Sequence, residues 1–154
     1  MVYRNMGHIK EEEAKGELLE LYDYVKKTKY QEYYDYLVKK GTTEILIEVK
    51  WVECRYKTAT LYFRCNQLKK LLKAKDFLVY VKTTKGNFFI SPSQIYKYAH
   101  VHYNQLNPTN CFSVCISAFF NGINFTVKEP EHCLLCSGKL IDWIKTDNTK
   151  LLQD

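Results

Sequence analysis

The stretch Asp35-Tyr-Leu-Val-Lys-Lys-Gly-Thr-Thr-Glu-Ile-Leu-Ile-Glu48-Val49-Lys50 decides how this 154-residue chain is read. Two runs rich in apolar and β-branched residues flank Lys39-Lys40-Gly41-Thr42-Thr43, and Gly41 is free to take positive φ. The pattern predicts a hairpin with a short strand over 33–38 and a longer, more buried one over 44–52. Alternation along the second strand puts Glu48 and Lys50 on one face and Val49 on the other. Pairing of the two strands brings Asp35 close to Glu48. Carboxylates crowded on an apolar sheet repel each other, and a divalent cation between them removes the cost. Lys50, two residues on, reaches the same place. Such a set suits metal-assisted phosphodiester hydrolysis, in which Mg²⁺ neutralises phosphate and acidifies a water while an ammonium steadies the developing charge. An acid-x-Lys triplet alone means little, because Glu13-Ala14-Lys15 is another. Context separates the two: one lies on a predicted helix, the other ends an apolar strand behind an acid-bearing one.

Outward from the hairpin, Ala14, Leu18, Leu21, Tyr22 and Val25 recur at helical spacing and predict a helix over 9–27. A third strand is expected over 58–65, and Asn66 can cap a helix over 67–74. Strands over 77–83 and 87–91 follow, joined by a turn at Thr84-Lys85-Gly86. Ser91 or Ser93 starts a short helix reaching Tyr98. Beyond residue 100, strands over 112–120 and 123–128 flank Asn121-Gly122, a strong hairpin signal, and a short helix is expected over 137–146. The expectation is an α/β (α+β) chain in the order αβββαββ with a mixed central sheet. The core would occupy 1–100, and a C-terminal elaboration of β-hairpin and short helix 101–154, serving DNA reading or oligomerisation.

With those residues in place, the chain resembles the PD-(D/E)XK nuclease superfamily over roughly residues 6–98. Its restriction-endonuclease-like core is a helix, a three-stranded meander, a helix and a further strand. Asp35 stands at the motif Asp, Glu48 at the Asp/Glu and Lys50 at the Lys; Tyr34 replaces the Pro that often precedes the motif Asp. Gly7-His-Ile-Lys-Glu11 looks like the Gly-x-x-x-Glu opening of archaeal Holliday-junction resolvases and group I intron-associated nucleases. Gln67 falls where many members place a Gln that holds water or phosphate. The resemblance implies a Mg²⁺-dependent DNA endonuclease (Mn²⁺ can substitute), with the metal on Asp35, Glu48, the Val49 carbonyl and Glu11. Lys50 would activate the attacking water with help from Gln67, leaving a 5′-phosphate and a 3′-hydroxyl. A site-specific enzyme of the intron-homing type is the first reading, although Gln is common in those enzymes where Glu48 stands. Alternatives are a Holliday-junction resolvase, viral ones included, and a non-catalytic nucleic-acid-binding module on a decayed nuclease fold.

Charge agrees with a nucleic-acid partner. Residues 51–100 carry a net +8, against −1 on either side, and many tyrosines neighbour Lys or Arg. Arg55, Lys57, Arg64, Lys69 and Lys70 are the expected phosphate contacts. One small domain cuts one strand, so cutting both strands or resolving a junction calls for a homodimer or higher assembly. Cys111, Cys115, Cys133 and Cys136 could form a four-thiolate Zn²⁺ site, with buried thiols or disulfides as the other readings. No apolar run reaches the ~18 residues of a membrane span, and no secretory signal is visible, so a cytoplasmic, intracellular protein is expected.

Overall fold

The computed structural model describes residues 2–28, 34–64, 76–103, 112–130 and 136–145. Among them are three helices, α1 (Val2–Leu21), α2 (Pro92–Tyr98) and α3 (Leu140–Lys145). The strands are β1 (Tyr24–Lys27), β2 (Tyr36–Lys40), β3 (Thr43–Val52), β4 (Thr58–Arg64) and β5 (Phe77–Thr83), followed by β6 (Gly86–Ile90), β7 (His100–Tyr103), β8 (Phe112–Asn121), β9 (Asn124–Lys128) and β10 (Cys136–Lys139). The protein is thus mixed α/β, mostly strand.

The first sheet runs β1-β2-β3-β5-β6 and is mixed: β3 and β5 are parallel, and the other neighbours antiparallel. The second runs β10-β7-β8-β4, with β9 beside β8, all antiparallel. Helix α1 covers one face of the first sheet, burying Ala14 and Leu18 against Tyr36, Val38, Ile47 and Tyr80. The other face meets the second sheet across a larger core that includes Leu61, Phe63, Val79, Ile90, Val114 and Ile116. Strand β3 therefore splits its side chains by parity. Ile45, Ile47 and Val49 face the helix, while Leu46 and Val52 face the second sheet.

Three expectations need correction, the smallest being the helix over 137–146, which begins only at Leu140 because Cys136–Lys139 is a strand paired with β7. The helix predicted to reach 27 stops at Leu21, and Tyr24–Lys27 pairs with β2 instead. The three-residue spacing of Tyr22 and Val25 fits one face of a helix and not one face of a strand, so the local pattern alone points to helix. Tertiary bonds decide: Asp23 N–H donates to the Lys39 carbonyl at 2.9 Å, and the Asp23 carboxylate accepts from Gly41 N–H at 3.1 Å. The strand at 58–64 then does not complete the first meander. It crosses to the second sheet and pairs along its whole length with β8. The meander is β1-β2-β3. Residue 100, the expected end of the core, opens β7, in a sheet that takes strands from both sides of that position. The helix expected at 67–74 lies outside the described residues. Elsewhere the short helix starts where Ser91 caps it, in a reciprocal capping box with Gln94.

Candidate active site

Strand β2 begins at Tyr36 opposite Ile47, but β3 runs on to Val52, so among the described residues no strand pairs with the β2-side edge of β3 beyond that point, which leaves a notch. Asp35 fills this notch. Its N–H donates to the Ile47 carbonyl at 2.8 Å, and its carboxylate accepts from Val49 N–H at 2.7 Å. The second is a short charge-assisted bond. Asp35 is thereby tied to both neighbours of Glu48. The N–H and carbonyl of a strand residue leave on the same edge, so the Val49 carbonyl emerges beside Asp35. Thr28 fixes the other side, its N–H and hydroxyl donating to the Asp35 carbonyl at 3.0 and 3.1 Å.

Glu11 reaches the notch from α1. The Tyr36 hydroxyl, on a fully buried ring, donates to the Glu11 carbonyl at 2.8 Å and pins that turn of the helix over β2. Burial, followed by the charge of Asp35 and a hydrogen bond to it, pushes the Glu11 carboxyl up to about 7. Glu12 pushes the same way, and Lys27 opposes. Two carboxyl groups crowded in this way share a proton or welcome a cation.

Glu48 and Lys50 leave β3 toward the second sheet. Glu48 is 7% exposed, and its carboxylate lies 3.9 Å from the Lys50 ammonium. That ammonium also stands 5.2 Å from the ring centre of Phe63 on β4. The set is therefore divided by the sheet, with Glu11 on the helix face, Asp35 and the Val49 carbonyl at the edge, and Glu48 with Lys50 on the other face. Among the described residues, no three His, Cys, Asp or Glu side chains converge as a ready metal cage. The donors at the notch are all hard oxygens, which suits Mg²⁺, an ion that keeps several waters and takes only one or two carboxylates.

Of the expected phosphate contacts, Arg55 and Lys57 are exposed in the turn between β3 and β4. Arg64 ends β4. Lys69, Lys70 and Gln67 lie outside the described residues, as do Cys111 and Cys133; Cys136 opens β10 and Cys115 is fully buried in β8.

One cluster was missed by sequence reasoning. Lys82, 4% exposed on β5, pairs with Glu17 of α1 and lies 3.5 Å from Glu13. Glu17 also accepts from the Tyr80 hydroxyl and, at 2.9 Å, from the Asn87 amide. The available signal was a lone Lys on a strand of otherwise apolar residues. A buried cation there requires an acid from the covering helix. The network clamps α1 to β5 at Glu17, about 1.7 turns along the helix from Glu11.

No family model and no curated protein sequence matches this chain. Among the described residues, no helix is long and apolar enough to cross a membrane.

Proposed function

We propose that this protein is a divalent-metal-dependent DNA endonuclease of the PD-(D/E)XK type. The observation that carries the reading is the bond from Val49 N–H to the Asp35 carboxylate, which fastens the first motif acid to the middle residue of Glu48-Val49-Lys50. The order helix, three-stranded meander and a later strand parallel to β3 supports a restriction-endonuclease-like core, with β4 as an insertion that leaves for the second sheet. Crowding of Glu11 against Asp35 supports a cation at the notch.

In this reading Asp35, the Val49 carbonyl and Glu11 would hold Mg²⁺, with Glu48 contributing from the other face of the sheet. The ion supplies charge neutralisation at the scissile phosphate and a more acidic attacking water. Lys50, whose ammonium lies 3.9 Å from Glu48, orients that water and offsets the charge that builds on the phosphoryl oxygens. Tyr36 and Thr28 hold Glu11 and Asp35 in place. Arg55, Lys57 and Arg64 would meet the phosphate backbone, so affinity should fall steeply with salt. Site-specific cutting of the intron-homing type is favoured over junction resolution, and cutting both strands would take a homodimer.

A second reading, a binding module that has lost catalysis, is favoured by the division of the acidic set across the sheet. Plasmid and four-way-junction cleavage separates the two. Cleavage in Mg²⁺ should vanish in EDTA and fall by about 10²–10³ in Lys50→Ala. Full activity in Lys50→Ala overturns the mechanism, and binding without cleavage at any metal concentration favours the module.

A further inference from the structure

Two tight turns protrude from one end of the second sheet, and each carries a large side chain that touches little of its own protein. In the β3–β4 turn, bridged by Arg55 and Thr58, Tyr56 is 93% exposed. In the β8–β9 turn, Ile123 follows Gly122 and is 88% exposed. The turns are neighbours: Phe120 N–H donates to the Lys57 carbonyl at 2.8 Å, continuing the β4–β8 register out to Tyr56 and the hairpin tip. Adjacent strands lie about 5 Å apart, so the two tips stand side by side.

Tyr56 is also strained. Its φ is +56°, and it is the one non-glycine residue at positive φ among the described residues. A turn of this kind favours Asn, Asp or Gly, and a bulky side chain there is costly. Neither packing nor turn geometry explains an aromatic ring at that position. Arg55 and Lys57 flank it, both exposed, within the third of the chain whose net charge is +8.

We infer that Tyr56 and Ile123 form a paired wedge that enters duplex DNA between base steps while Arg55 and Lys57 grip the adjoining phosphates. The inference deepens the nuclease reading and rests on it for the choice of DNA as partner. Aliphatic side chains inserted at a step unstack it and kink the duplex, and an aromatic ring stacks on the base so exposed. Cations on either side supply the sequence-independent attraction that brings the tip to the groove. The wedge also has a fixed reach. Lys50 lies over Phe63, and the chain runs from one to the other through the turn, about six residues each way. At about 3.3 Å per residue the tip stands no more than about 20 Å from Lys50, or about six base pairs along a duplex at ~3.4 Å each. The DNA would be bent within about six base pairs of the cut.

The test is binding of a mixed-sequence duplex, with 2-aminopurine placed at TA steps, to the full-length protein in Ca²⁺ at low salt. Wild-type protein should raise the 2-aminopurine fluorescence. Tyr56→Ala should abolish the rise and weaken binding about tenfold, Tyr56→Phe should preserve both, and Ile123→Ser should reduce the bend seen by energy transfer between the duplex ends. Tyr56→Asn should raise Tm by a few degrees through relief of the left-handed backbone and still lose the unstacking signal, a combination that a structural role would not produce. Unchanged binding and fluorescence in both Tyr56→Ala and Ile123→Ser would overturn the wedge. So would a change of oligomeric state in their place, a preference for single-stranded RNA, or failure of the wild-type protein to bind duplex at all. If wild-type protein unstacks DNA yet never cuts it in Mg²⁺, the hydrolytic reading fails and the wedge stands.

Discussion

Glu11 shows how one residue reports on the site. Its carboxyl titrates near 7 in the folded protein, above the ordinary 4.5, because burial and the neighbouring Asp35 disfavour its charge. Between those values the folded state binds more protons than the unfolded one. Stability therefore falls as pH rises through this window, and the loss is complete above about 7. Urea denaturation in EDTA should show that slope in the wild-type protein and a flatter profile in Glu11→Gln. Equal slopes would mean that the two carboxyl groups do not crowd. A bound cation relieves the same repulsion, so Mg²⁺ should raise Tm more at pH 8 than at pH 5, where protons compete for the site. The nearness of Asp35 to the Glu48-Val49-Lys50 run was legible in the sequence, since hairpin pairing and alternation are local rules. The separation of Glu11 from Glu48 and Lys50 by the sheet was not, because it depends on which layers cover each face.

At the level of elements, α1 is held to the first sheet by apolar contacts at Ala14 and Leu18 and by the Lys82–Glu17 clamp. The two halves of the clamp are not equivalent. Glu17 is one-third exposed and can hydrate if left alone, whereas Lys82 is almost fully enclosed. Glu17→Ala should therefore cost about 3 kcal/mol in urea denaturation, and Lys82→Met clearly less, since an apolar chain suits the same space. The opposite order would mean that Lys82 is better solvated than its enclosure implies. The β5–β6 turn carries a second constraint. Gly86 has φ +141°, and a Cβ on it would lie 3.0 Å from the Phe125 ring of β9. Gly86→Ala should destabilise the protein by about 1–3 kcal/mol, from strain and overpacking together. Calorimetry that finds it neutral would show that the turn can relax. Most strands were legible from β-branched runs and turn residues. β1 was not, because Tyr24–Lys27 is an exposed edge strand that owes its conformation to β2 and to Asp23.

Across the whole molecule, the two sheets share one core. β4 comes from the first half of the chain and pairs with β8 from the last third, and Leu61 and Phe63 pack with Val114 and Ile116. A chain ending at residue 100 would leave β4 without that partner and open the inter-sheet face of β5 and β6 to water. It should fail to unfold cooperatively when followed by circular dichroism, whereas an independent nuclease core would melt as a unit. By itself the sequence determined the strand-rich mixed composition, the β2–β3 hairpin, the capped helix at Ser91 and the basic middle third. Each follows from residue type and near-neighbour spacing. Only the tertiary structure decided that 24–27 is a strand, that β4 belongs to the second sheet, and that Glu17 neutralises Lys82. It likewise set the tips bearing Tyr56 and Ile123 side by side. Each of those outcomes joins residues distant in the chain. They are fixed by which apolar faces can be covered and which buried charges can be matched at once, a condition that no single stretch of sequence contains.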